Sequence, residues 1–65
     1  MSPSHSSLPA HQLRRLLILA REVPEDWRSV LYAMGRDLSV SEWAARTGLR
    51  DEAIHAVLRL RSMSA

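Results

Sequence analysis

Ser39-Val40-Ser41-Glu42-Trp43-Ala44-Ala45-Arg46-Thr47-Gly48-Leu49-Arg50-Asp51-Glu52-Ala53-Ile54-His55-Ala56-Val57-Leu58-Arg59-Leu60-Arg61 is the stretch that decides how the chain folds. It opens on Ser39 with Glu42 three residues later. At that spacing a serine hydroxyl and a glutamate each satisfy a backbone N–H of the other at a helix start. Leu38 and Trp43 stand where a hydrophobic staple would pin the same start. The helix predicted from this signal runs from Val40 to Thr47. Gly48 follows, and glycine readily takes the left-handed backbone that closes a helix. Asp51 is placed to cap a second helix, reaching to about Arg61, whose inner face carries Ile54, Val57 and Leu58. Ala44 is small enough to let the two helices approach closely. The spacing predicts a bend at Gly48 between two short helices.

Upstream, Trp27, Val30, Leu31 and Met34 fall at the i, i+3, i+4, i+7 spacing of an amphipathic stripe. Glu25 and Asp26 stand where carboxylates favour a helix N-terminus, and Gly35 is expected to end that helix. Pro24 separates it from a first helix predicted from Pro9 to Val23, with Leu13, Leu16, Leu17, Ala20 and Val23 on one face. Residues 1–7, rich in serine with Pro3 and His5, lack apolar periodicity and are expected to form a disordered tail before one domain over 8–65. No segment alternates as a strand does. The expected fold class is all-α, a small four-helix domain.

Sixty-five residues make one domain, and a domain of this size buries only about 60% of the surface its unfolded chain exposes. Without cysteine there is neither a disulfide nor a thiol for zinc or nucleophilic chemistry. All nine cationic residues are arginine, set against seven carboxylates, for a formal net charge of +2. The sequence pI near 10.5 overstates this surplus, because no lysine buffers between histidine and arginine. The longest apolar run, Leu16 to Ala20, is flanked by Arg15 and Arg21 and is too short to cross a bilayer. With no secretory pattern either, a cytoplasmic location is expected.

The motif from Ser39 to Leu49, followed by Ile54 and Val57, resembles the helix-turn-helix superfamily of bacterial transcription regulators. The four-helix layout is also similar to sigma-factor region 4 and to the C-terminal domains of quorum-sensing activators. This resemblance implies a regulator whose last helix is the recognition helix. It further implies that Arg50, Asp51, Glu52, His55 and Arg59 read bases, because residues near that helix's start enter the major groove. Trp43 departs from the pattern, which usually holds a medium aliphatic or small residue there.

Charge weighs against simple groove reading. The chain from Ser39 onward has four arginines and three acids, a net of +1, and a carboxylate facing phosphates is repelled. A helical wheel puts Glu52, His55, Ala56, Arg59 and Met63 on the outward side of the last helix, with Arg50 at its start. Ile18 falls among His11, Arg14 and Glu22, and Tyr32 between Glu25 and Arg28. Both are apolar side chains on polar faces. Arg50, Glu52, His55, Ala56, Arg59, Met63, Ile18 and Tyr32 are therefore the expected partner-binding residues. The favoured expectation is an antiactivator or co-regulator that contacts a transcription factor. The alternative is a sequence-specific DNA-binding repressor in which Arg50, His55 and Arg59 touch bases while Arg46 and Arg61 touch phosphates.

Other chemistry finds little footing. His5, His11 and His55 include no pair at the i, i+4 spacing of a helical metal site, so no metal or cofactor is expected. There is no glycine-rich phosphate loop or nucleophile elbow, and an enzyme is the least expected class. The basic, leucine-rich first helix resembles a membrane-surface helix, but its apolar face is needed to cover the other helices.

Overall fold

A computed structural model describes residues 9–64, apart from the side chain of Ser64; the expected tail over 1–7 lies outside the described residues. Four α-helices follow one another: α1 (Ala10–Ala20), α2 (Glu25–Met34), α3 (Val40–Thr47) and α4 (Asp51–Ser64), with a 3-10 turn at Gly35–Asp37 between α2 and α3. The protein is a small all-α domain. Among the described residues there is no strand and no helix long and apolar enough to cross a membrane.

Prolines set the first two starts. Pro9 and Pro24 are the residues immediately before α1 and α2, each extended at ψ near 150°. Their carbonyls accept the first helical bonds, from Leu13 at 3.1 Å and from Arg28 at 2.9 Å. α1 is shorter than its apolar pattern suggests. It stops at Ala20, and Val23 is buried from the turn that follows. The inner face is also shifted: Leu16, Leu19, Ala20 and Val23 pack, whereas Leu17 is 48% exposed.

The start of α3 follows the sequence closely. The Glu42 N–H donates to Ser39 Oγ at 3.2 Å and the Ser39 N–H donates to Glu42 Oε1 at 2.9 Å, a complete capping box. The Ser39 N–H, and after it the Ser39 side chain, lowers the Glu42 carboxyl from its ordinary value. At the other end Gly48 has φ 76° and donates its N–H to the Ala44 carbonyl at 2.8 Å. Thr47 completes this close. Its hydroxyl donates to the Trp43 carbonyl at 2.8 Å and accepts from the Leu49 N–H at 3.2 Å.

α4 is the helix around which the others pack, and it meets α1 most extensively. Arg50 at its head touches Glu22 just past the end of α1, so the two helices run antiparallel. Among the described residues eight form the buried core, and four of them, Ala53, Ile54, Ala56 and Val57, belong to α4; the others are Ala20, Val23, Leu31 and Trp43. Close approach of α4 to the 3-10 turn explains Gly35. A Cβ there would stand 2.5 Å from Leu58 Cδ2, although the backbone, at φ −61°, makes no special demand. Trp43 is buried at this junction, its indole N–H donating to the Gly35 carbonyl at 3.0 Å and its ring meeting Trp27 edge-on at 6.5 Å.

Candidate functional site

The α3–α4 corner carries most of the residues singled out from sequence. α3 ends at Thr47, residues 48–50 connect, and α4 begins at Asp51. Asp51 is thus the first helical residue and not the cap. The Arg50 carbonyl accepts from the Ala53 and Ile54 N–H groups at 3.1 and 3.2 Å, which puts Arg50 in the capping place. Asp51 and Glu52 both stand in the first turn, where negative charge complements the helix dipole.

Arg50 is held by two carboxylates. Its Nε and Nη2 bond Glu22 Oε1 and Oε2 at 3.0 and 2.7 Å, and its Nη1 bonds Glu52 Oε1 at 3.2 Å. Hydrogen bonding to Glu22, then the attraction of that charge, holds its proton more firmly than in an ordinary guanidinium. A side chain committed in this way has its charge balanced twice over. Glu52 accordingly pairs with Arg50 and not with His55, and Arg50 is turned toward α1.

Along the outer side of α4, Glu52, His55, Arg59 and Met63 are exposed, a face of mixed sign ending in an apolar side chain. Ala56 does not belong to it. The wheel placed Ala56 outward, yet it is fully buried. The reason is the central position of α4, which packs on more than one side and so buries a wider arc than a single amphipathic stripe. Arg61 is also diverted: it is half-buried and its Nε donates to the Tyr32 carbonyl at 2.8 Å, tying α4 to α2. Arg46 remains exposed on α3.

Ile18 and Tyr32 are exposed as expected, at 59% and 45%. They do not join the outer face of α4. Tyr32 lies on a separate side of the molecule, where it lines a concavity of about 210 Å³ with Leu17, Ala20, Arg21, Arg28, Val57 and Leu60. The expected partner surface therefore divides into an α4 face and an α1–α2 side. Sequence reading missed Leu17 and Arg28 there. The apolar pattern puts both Leu16 and Leu17 on the inner face, whereas α1 packs through Leu16 and Leu19 and leaves Leu17 exposed. Among the described residues no cluster of His, Asp and Glu is arranged to hold a metal ion.

No family model, curated protein or solved structure matches this chain.

Proposed function

We propose that the chain is a small helix-turn-helix regulator of transcription that acts by contacting a transcription factor, as an antiactivator or co-regulator. The observation that carries this reading is the state of Arg50. A base-reading arginine offers its guanidinium fork to a guanine edge, whereas here the fork is occupied by Glu22 and Glu52. The rest of the α4 face supports the same view. Glu52, His55, Arg59 and Met63 combine both charges with an apolar end, the mixture found in protein interfaces, not the continuous positive stripe that phosphates favour. On this reading the chain binds and does not catalyse.

One observation favours the DNA reading in part. Arg46 and Arg59 are exposed and form no close ion pair among the described residues, although Arg46 lies near enough to Glu42 for its charge to act on that carboxylate. Asp51 and Glu52 stand in the first turn of α4, and acids there lower the positive potential of the corner.

The experiment is recovery of a transcription factor on tagged protein from the source cells, repeated with Glu52→Arg and Arg59→Glu. Both positions are exposed, so the variants should keep the helical circular dichroism of the parent while losing the factor. Retention of the factor by both variants, or recovery of DNA with no factor, would overturn the proposal.

A further inference from the structure

On the side away from the outer face of α4, α1 presents Arg14, Leu17, Ile18 and Arg21 at the i, i+3, i+4, i+7 spacing, all four exposed. Two aliphatic side chains lie between two arginines. Leu17 and Arg21 continue into the concavity whose other walls are Arg28 and Tyr32 of α2 and Val57 and Leu60 of α4. Arg28 is half-buried there, and its Nε is buried with no hydrogen-bond partner, the one such side-chain atom among the described residues. Neither Arg14, Arg21 nor Arg28 has a carboxylate partner among those residues. Glu22, which follows Arg21 in the sequence, is held by Arg50, and on α2 Glu25 is the acid that shares a surface with Arg28.

We infer that this groove between α1, α2 and α4 docks an acidic amphipathic helix of a partner protein, a leucine side of that helix entering between Leu17 and Tyr32 and its carboxylates meeting Arg21 and Arg28. Charge complementarity selects this occupant. An apolar floor rimmed by arginines matches a helix whose apolar stripe is flanked by glutamates. A modest swing of the Arg28 side chain lets one carboxylate take Nε and an Nη together, which removes the unpaired donor. A second copy of the chain fits poorly. Symmetric pairing of two α1 stripes sets arginines against arginines, and like charges repel. The inference deepens the protein-contact reading and rests on it only for the kind of partner.

The probe is a capped peptide of about 18 residues, long enough to hold a helix, with leucines at i, i+3, i+4, i+7 and glutamate or alanine elsewhere. A peptide of the same composition in scrambled order is the control. Binding is read by fluorescence anisotropy and by amide chemical shifts of the full chain. The expected result is saturable binding that shifts Leu17, Arg21, Arg28 and Tyr32. Leu17→Asp should weaken it at least about tenfold, as should Arg28→Gln or the exposed Arg21→Gln. Several outcomes would overturn the inference: no binding; equal binding of the scrambled peptide; shifts confined to Glu52, His55 and Arg59; duplex DNA that perturbs the groove more tightly than the peptide does; or self-association that perturbs it without peptide. A transcription factor still held through Glu52 and Arg59 while the peptide fails would sink the groove alone. A docked peptide with no factor recovered would sink the regulator reading alone.

Discussion

Replacing Trp43 by phenylalanine tests the packing on which the α3–α4 corner depends. The indole N–H donates to the Gly35 carbonyl at 3.0 Å in a buried setting, and phenylalanine keeps a ring but has no donor. Leaving the buried carbonyl without its donor costs about 1–3 kcal/mol. Shrinking the ring also weakens the edge-on contact with Trp27, a contact worth about 0.5–1.5 kcal/mol. The expected total is about 2–4 kcal/mol. A domain of this length has roughly 3–10 kcal/mol to lose, and each kcal/mol moves the melting temperature by about 4–8 °C. Thermal and urea unfolding followed by circular dichroism should therefore show Trp43→Phe melting about 10–25 °C below the parent. A double-mutant cycle with Trp27→Leu isolates the ring–ring share. A loss under about 0.5 kcal/mol, within the range of an ordinary surface change, would refute the claim that this indole anchors α3 to the 3-10 turn.

Three further substitutions separate conformation, space and charge. Gly48→Ala meets no atom within 4 Å but forces a Cβ into a backbone at φ 76°, so it should cost about 1–2 kcal/mol by urea titration, and no compensating change in a neighbouring side chain should restore it. Gly35→Ala has the opposite origin: its φ is ordinary and its Cβ meets Leu58 Cδ2, so the loss it causes should largely vanish in a Leu58→Ala background. Glu42 contributes stability above the ordinary carboxylate range and loses it as pH falls through its lowered folded value. Removing it as Glu42→Ala should flatten the fall in melting temperature measured below about pH 5; an unchanged acid limb would contradict the capping-box account.

Much of the fold was legible because its signals are local. The capping box at Ser39 and the bend at Gly48 depend on residues within four positions of one another, and α2 and α3 are short spans bounded by their own start and stop residues. What the sequence hid is set by distance. The pairing of Arg50 with Glu22 joins residues 28 apart, and Arg61 reaches the Tyr32 carbonyl across 29. Neither has a periodicity to betray it. Ala56 was misplaced because a single-stripe wheel assumes one packed side, whereas α4 packs against α1, α2 and α3. Leu17 differs for the converse reason: the packed arc of α1 runs through Leu16, Leu19, Ala20 and Val23 and leaves it in solvent.

The most direct test of the proposal that this protein works through another protein is a titration with labelled duplex DNA, promoter fragments of the source cells beside random sequence, run at about 50 mM and 200 mM salt. The expected result is weak binding at low salt with no preference among sequences, disappearing at the higher concentration. Saturable binding to one sequence, specific at both salts and weakened about 1–3 kcal/mol by Arg59→Ala, would contradict the account and establish a DNA-reading repressor.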